Sequence, residues 1–437
     1  MTPEIEKRIK AVQAGRVPAG YKRTKVGIVP KDWGEVRFHD MFSRVVRKNK
    51  EGNTNVLTIS AQYGLINQNE FFNKTVASDD KSNYYLMKKG EFAYNKSYSN
   101  GYPFGALKRL DFYDKGIVSP LYICFAASEN NQCPDFYVHY FEAGLMNKEI
   151  QAFAQEGARN HGLLNISVDD FFNSNLLNPP LSEQKKIAEI LATQDRVIEL
   201  KEKLIAEKQS QKKYLMSVLL GDDFKKPFKL NGVTIDKKKW RDVSLSDCCL
   251  SEGQYGLNAP ACAFKDNLPK YIRITDIDED GRYNRSSVAY VDVDDYENYL
   301  LNENDVLLVR TGSTTGKSYL YDKNDGKLVY AGFLIRFNIN PEFVDKRVVY
   351  ACLNTNSYWK WVGVMSMRSG QPGINATEYS KYRFKIPLDK KEQKAIAEVL
   401  SAADEEISLL QKDLEQEKLK KKSLMQLLLT GLVRVNE

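Results

Sequence analysis

Arg310-Thr311-Gly312-Ser313-Thr314-Thr315-Gly316-Lys317-Ser318 is the segment whose residue types come nearest to a reactive loop. It follows a strand-like run and holds the glycines, lysine and serine of a phosphate cradle. That cradle needs four residues between its glycines, then Lys and Ser or Thr, then a helix N-terminus. Here three residues separate Gly312 from Gly316, and Tyr319–Gly326 reads as strand and turn. Nucleotide binding is therefore not expected of it. What the loop does offer is one Arg, one Lys, hydroxyls, glycines and no acid. Such a set hydrogen-bonds phosphates through backbone N–H and hydroxyl groups and places Arg or Lys against base edges.

Other chemistry-bearing patterns fail similarly. Asn178-Pro179-Pro180-Leu181 has the start of the Asn-Pro-Pro-aromatic motif that holds a flipped base. Leu replaces the aromatic, and no glycine-rich cofactor loop precedes it. The corresponding Ile386-Pro387-Leu388 keeps only part of the pattern, so both read as stops before a helix. The six cysteines (124, 133, 248, 249, 262, 352) form no Cys-x-x-Cys pair, and the three histidines (39, 139, 161) do not cluster with them at ligand spacing. Metal: none is expected, and reduced thiols packed in cores are the reading. Catalytic residues: none, because no Ser/His/Asp set, paired carboxylates or nuclease-type acid cluster stands out.

Recognition chemistry remains. The candidate DNA-binding residues of the 310–317 loop are Arg310, Thr311, Ser313, Thr314, Thr315 and Lys317. In an earlier, related stretch they are Lys96, Ser97, Tyr98, Asn100 and Tyr102. A second pair of segments adds Arg159, Asn160 and His161, matched by Arg368, Ser369 and Gln371. A third adds Gln62 and Tyr63, matched by Arg273 and Thr275.

The elements that must position these loops come in duplicate. Glu183–Asp222 and Glu392–Gly431 align without a gap at 17 identities in 40 positions. They share a Glu-Gln-Lys start and a Lys-Lys-x-Leu-Met close. Positions spaced by four and three residues form a seam: Ile187, Leu191, Gln194, Ile198, Lys201 and Ile205 in one copy, and Ile396, Leu400, Ala403, Ile407, Leu410 and Leu414 in the other. Ser182 and Asp389 are suited to cap the starts, and Gly221 and Gly431 the ends. Each helix would run ~57 Å at ~1.5 Å per residue. Neither can bury its seam alone, so each is the natural partner of the other. Polar seam positions Lys208, Lys212, Glu417 and Lys421 would set the register.

The intervening blocks repeat weakly. Trp33-Gly34-Glu35-Val36 matches Trp240-Arg241-Asp242-Val243, Gly90-Glu91 matches Asn304-Asp305, and Gly162–Ile166 matches Gly370–Ile374. Strands are predicted at Val56–Ser60, Leu121–Ala126, Tyr271–Thr275, Val306–Arg310 and Phe333–Ile339, and helices at Asp135–Gln155 and Pro341–Gly363. Residues 11–17 resemble 427–433, so the chain reads as tail, domain, helix, domain, helix. The fold class is α+β: two mixed α/β domains separated by two long antiparallel coiled-coil helices, a pseudo-two-fold, circularly permuted duplication. The boundaries are 1–20 for a helical tail completing the repeat, 21–181, 182–222 for a central spacer helix, 223–389, and 390–437 for a second spacer helix.

Net charge is +7 over 437 residues, mildly basic, which permits nucleic-acid binding without arguing for it. No apolar leader or membrane-length run is present, so a cytoplasmic location is expected.

The sequence resembles the specificity subunits of type I restriction–modification systems. The residues that carry this are Gly20–Trp33, the Thr311–Gly316 loop, Pro387-Leu388 with Glu392–Ala397, and the duplicated Leu-Met helix ends. In the first domain Lys96-Ser97-Tyr98-Ser99-Asn100-Gly101 stands where the family has Thr-x-x-Thr-Gly. The resemblance implies a non-catalytic DNA-recognition subunit, each domain binding one half of a bipartite asymmetric double-stranded DNA target. The helices would set the spacing and dock two modification (methyltransferase) subunits, with restriction (endonuclease/translocase) subunits joining them. S-adenosylmethionine, ATP and Mg²⁺ would sit on those partners, with no cofactor in this chain. The alternatives are a specificity subunit of a related two-subunit methyltransferase/nuclease, an autonomous enzyme, and a protein-binding scaffold.

Overall fold

Glu-Gln-Lys and Leu-Met recur because they are where long helices enter domain cores. The computed structural model describes residues 2–60, 63–69, 81–98, 101–128, 132–156, 164–221, 226–368 and 370–435. Its helices are α1 Pro3–Gln13, α2 Phe38–Met41, α3 Pro134–Glu142, α4 Asn147–Phe153, α5 Val168–Phe172, α6 Leu181–Leu220, α7 Lys346–Cys352, α8 Asn356–Met365, α9 Ala376–Ser380 and α10 Lys390–Leu428. No helix among the described residues is long and apolar enough to cross a membrane. The chain divides into two units, 1–201 with 413–437, and 202–412.

In the first unit a four-stranded antiparallel sheet runs in the order Phe42–Arg44, Ile123–Ala127, Phe92–Asn95, Ala106–Arg109. Gly34–Arg37 pairs with Asn175–Asn178. The core is unusually aromatic. Phe38, Phe42, Phe92, Phe125, Tyr137, Phe141 and Phe171 are buried together, several in edge-to-face pairs such as Phe38–Phe125 at 4.9 Å. Such pairs add about 0.5–1.5 kcal/mol each beyond their buried area. Ile187 and Leu191 from the start of α6, and Met425, Leu428 and Leu429 from the end of α10, close this core.

The second unit repeats the plan. Its sheet runs Gln254–Tyr255, Leu334–Asn338, Asp305–Val309, Ser318–Leu320, and Arg241–Ser244 pairs with Arg383–Ile386. Met216 and Leu219 from the end of α6, and Ile396 and Leu400 from the start of α10, close its core. Each unit also carries a ribbon just ahead of Trp33 or Trp240, Tyr21–Arg23 with Ile28–Pro30 and Phe228–Leu230 with Val233–Ile235. The units differ in their remaining described strands: three more ribbons in the first, Leu57–Ser60 with Gly64–Asn67, Tyr85–Lys88 with Lys115–Val118 and Gln155–Glu156 with Leu164–Asn165, and a mixed four-stranded sheet of Ala261–Cys262, Ala289–Val291, Lys270–Ile272 and Leu328–Tyr330 in the second.

Conserved geometry explains the repeated residues. Trp33 Nε1–H donates to Glu183 Oε2 at 2.9 Å, and Trp240 Nε1–H to Glu392 Oε2 at 2.9 Å. Gln184 accepts from the Cys133 amide and donates to the Pro179 carbonyl; Gln393 accepts from the Asp345 amide and donates to the Pro387 carbonyl. All four carboxylate and amide side chains are buried, and buried polar groups need such partners.

Within each unit α6 and α10 lie antiparallel, and their polar seam residues pair across. Gln194 donates to Glu417 at 2.7 Å and Lys421 reaches Asp195 at 2.5 Å in the first unit. Lys208 reaches Glu406 at 2.6 Å and Lys212 reaches Asp404 at 2.5 Å in the second. Across these pairs α6 supplies mostly the cations and α10 mostly the acids.

Local expectations need correction in places. Asp389 caps α10, its Oδ1 accepting from the Lys391 amide at 2.7 Å. Ser182 instead lies inside the first turn of α6, because the Pro180 carbonyl already accepts the first intrahelical bond from Gln184. The expected helix 135–155 is two helices, α3 and α4, parted at Gly144 in the left-handed region. The expected helix 341–363 begins later and is two helices, α7 and α8, with Thr355 Oγ1 capping α8 at the Tyr358 amide. The expected strand 271–275 stops at Ile272, because a 3-10 turn spans Ile274–Asp276, with the Asp276 carboxylate accepting the Arg273 amide at 2.9 Å.

Candidate nucleic-acid interface

The centre strand Asp305–Val309 is buried along its whole length. The chain leaves it at Arg310 and returns as the strand Ser318–Leu320, so the 310–317 segment is a tight inter-strand loop with no helix following it. Gly316 sits at φ +94°, and a Cβ there would fall 2.6 Å from Val362 Cγ1. Thr315 is buried and spends its hydroxyl on the Gly312 carbonyl at 2.7 Å. Thr311 Oγ1 donates to the Pro372 carbonyl at 3.2 Å. Ser313 is exposed and Thr314 half-buried.

The structure brings a second candidate segment onto this loop. The Gly312 amide donates to the Pro372 carbonyl at 3.0 Å, and the Ile374 amide to the Arg310 carbonyl at 2.8 Å. Arg368 is anchored to the Gly373 carbonyl at 2.8 Å and to Glu378 at 2.7 Å, while Gln371 is exposed beside Gly312. The third segment lies nearby through Ile274, whose Cδ1 is 4.0 Å from the position a Gly312 Cβ would take. Its Arg273 is committed inward, bidentate to buried Asp276 at 2.8 Å through both Nε and Nη2. Thr275 is exposed.

Arg310 is differently placed. Its guanidinium stacks over the Tyr255 ring at 4.8 Å, and no carboxylate among the described residues pairs with it. Stacking holds the planar group while leaving its N–H fork available for bidentate contact. Lys317 is the reverse: its Nζ is paired to Glu279 at 2.5 Å with the lysine side chain 14% exposed. Two residues here were not anticipated from sequence. Tyr255 forms the platform and accepts the Ala376 amide at 3.1 Å. Phe333 accepts the Arg310 amide through its carbonyl and is itself 57% exposed. The only sequence signal for either is an aromatic beside a glycine, Tyr255-Gly256 and Gly332-Phe333, which is too common to single them out.

In the first unit, Lys96 and Ser97 follow the strand Phe92–Asn95. The Lys96 carbonyl accepts the Leu164 amide at 3.0 Å, so the same two segments meet as in the second unit. Lys96 Nζ lies 3.5 Å from the Ile166 carbonyl, the Ser97 amide donates to Asn95, and Tyr98 is exposed. Tyr102 is held inward by a 2.5 Å hydrogen bond to Glu142, and burial followed by that carboxylate pushes its hydroxyl well above the usual phenol range. Tyr63 is exposed, its amide on Ser60 Oγ at 3.2 Å. Gln62, Asn100, Arg159, Asn160, His161 and Ser369 lie outside the described residues. A cleft of about 650 Å³ between α3 and α6, lined by Asp135, His139, Lys185 and Asp195, shares no residue with these loops. Among the described residues no group of His, Cys, Asp and Glu could hold a metal ion.

The profile of the type I restriction modification DNA specificity domain matches residues 30–208 and 237–419. The chain belongs to this family. Two relatives come from Methanocaldococcus jannaschii. The type I restriction enzyme MjaVIII specificity subunit is 28% identical over 332 residues, covering 74% of this chain and 75% of that protein. The putative MjaX specificity subunit is 26% identical over 435 residues, covering 95% and 97%. Among solved structures, a chain from a type I restriction–modification system studied for complex assembly and conformational transition superposes with TM-score 0.55 at 14% identity, covering 93% of this chain and 99% of that one. The S subunit of a type I system from M. genitalium gives TM-score 0.50 at 11% identity, covering 93% and 96%. The two matched segments each hold one framework and one set of loops, so the specificity-domain family accounts for both halves of the duplication.

Proposed function

We propose that this chain is the non-catalytic sequence-reading subunit of a type I restriction–modification complex, each unit reading one half of a split, asymmetric DNA target. The observation that carries this is the repetition of the framework around unlike loops. The Trp–Glu and Gln anchors and the four-stranded sheet recur, while Arg310 on its Tyr255 platform has Lys96 as its counterpart in the first unit. Different loops on one framework read different half-sites. The α6–α10 pair sets the gap between them and offers its outer faces to two modification subunits, which carry S-adenosylmethionine; restriction subunits with ATP and Mg²⁺ complete the complex in the cytoplasm.

A salt series of duplex binding by the full chain tests the reading. Phosphate contacts give a steep log–log slope, about −0.9 per neutralised phosphate. A slope near zero would instead mark a protein-binding scaffold. Arg310→Ala should weaken binding and relax preference at one base pair by about 1–3 kcal/mol. Methyl transfer by the chain alone would overturn the non-catalytic assignment.

A further inference from the structure

Residues 276–284 form a tight hairpin closed by the Ile277–Tyr283 bridge and by the Asp278 amide on the Arg282 carbonyl at 2.9 Å. Its tip touches two things at once. On one side it meets the helices of its own unit. Asp280 accepts from Gln209 of α6 at 3.2 Å and from Gln411 of α10 at 3.1 Å. Arg282 donates to Gln411 Oε1 at 2.7 Å and to the Asp404 carbonyl at 2.8 Å, and Asp404 itself takes Lys212 of α6. On the other side the tip meets the base of the reading loop. Glu279, 91% exposed, pairs with Lys317. A Cβ on Gly281, at φ +73°, would fall 2.7 Å from the Ser318 carbonyl and 2.3 Å from the Tyr350 hydroxyl, so the hairpin backbone is pressed against the strand that follows the loop.

Polar bonds run from Gln209, Asp404 and Gln411 to Asp280 and Arg282, and a separate ion pair runs from Glu279 to Lys317 and the loop, the two sets being joined through the short hairpin backbone that carries residues 279–282. Asp278–Arg282 belongs to no buried hydrophobic cluster, whereas Ile277 and Tyr283 at the base of the hairpin are buried with Leu307, Val309 and Tyr319, so the tip is held by polar bonds and the base by packing. The first unit makes a comparable link with other residues. Its α3 carries Glu142, which holds Tyr102, and His139, whose Nδ1 lies 3.8 Å from Asp195 of α6.

We propose that the 278–282 tip is a strut fixing the second unit's reading loop on the α6–α10 pair, and that Asp280 and Arg282 are positioning residues for half-site spacing. This rests on the DNA-reading function proposed above. A strut of this kind does not touch bases. It converts the helix pair into a rigid reference from which the loop is held, so that a half-site displaced along the duplex is rejected.

The test uses the full chain and duplexes carrying its target, established by methylation sequencing of the host, with the gap native or changed by one base pair. One base pair moves a half-site by about 3.4 Å and rotates it by about 34°. Wild type should prefer the native gap by about tenfold or more, and Arg282→Ala should reduce that preference below about threefold. Base changes inside the second half-site should cost both proteins alike. Gln411→Ala, which removes one partner of both Asp280 and Arg282, should also reduce the gap preference and serves if Arg282→Ala does not fold by circular dichroism. Unchanged gap preference in a folded variant, or loss of base preference along with it, overturns the strut. Failure of wild type to bind the target specifically would overturn the DNA-reading function instead.

Discussion

Replacing each framework tryptophan by phenylalanine should cost unequal amounts in the two units, although the sequence treats them as equivalents. Trp33→Phe and Trp240→Phe each remove one Nε1–H donor from a buried glutamate and shrink one core ring, so the packing loss largely cancels in the comparison. The carboxylates left behind differ. Glu183 keeps Arg434, whose Nε and Nη2 donate to its two oxygens at 2.8 Å each. Glu392 has Trp240 as its one side-chain donor among the described residues. A hydrogen bond to a charged group contributes about 1.5–3 kcal/mol, and a buried carboxylate stripped of its donor costs at the upper end or beyond. Trp240→Phe should therefore lose about 3 kcal/mol from its unit and Trp33→Phe about 1.5 kcal/mol from its own. Native-state amide exchange, read separately for segments of each unit, measures both. The difference corresponds to roughly tenfold in local opening. Trp33→Phe combined with Arg434→Ala should bring the first unit to the level of the second. Equal losses from the two single variants, or a larger loss from Trp33→Phe, would refute the idea that Arg434 is what distinguishes the two anchors.

Burial, aided by Lys421 and Arg109, holds His139 below its ordinary value of 6.5 despite Asp195 and Asp135, so the unfolded chain binds its proton more readily than the folded one. Stability should fall as pH drops below about 6.5, by up to about 1.4 kcal/mol per pH unit, and urea midpoints of His139→Gln should lose that component; an identical slope in the variant would contradict it. Two glycines should respond with opposite signs to alanine. Gly316→Ala meets Val362 in a left-handed conformation and should destabilise by about 1–3 kcal/mol. Gly363→Ala, in α8 with open space around its Cβ, should stabilise by about 0.5–1 kcal/mol. Thermal unfolding of the two variants checks both signs.

The parts of the fold legible from sequence are those governed by local periodicity and by repetition. The α6 and α10 seams follow the four-three spacing, with Ile187, Leu191, Ile396 and Leu400 buried as their positions require. The repeated Trp, Glu and Gln could be matched by type, but their mutual hydrogen bonds span about 150 residues of chain and have no local signal. Helix breaks at Gly144 and Thr355 were missed because apolar periodicity continues through both. The loops were located because hydroxyl, glycine and cation cluster after a buried strand. Which of their side chains face outward was not legible: Arg273 and Tyr102 turn inward to Asp276 and Glu142, and Arg310 is held open by Tyr255, a residue 55 positions away in sequence. Long-range carboxylates and aromatics decide orientation, and a single sequence does not show which ones arrive.

The most direct test of two separate readers on a shared spacer is an exchange of residues 21–181 for the corresponding domain of another family member, in a host carrying the partner subunits, followed by methylation sequencing of its genome. One half of the methylated target should change to that of the donor while the other half keeps its sequence. A change in both halves, or in neither, would contradict the account.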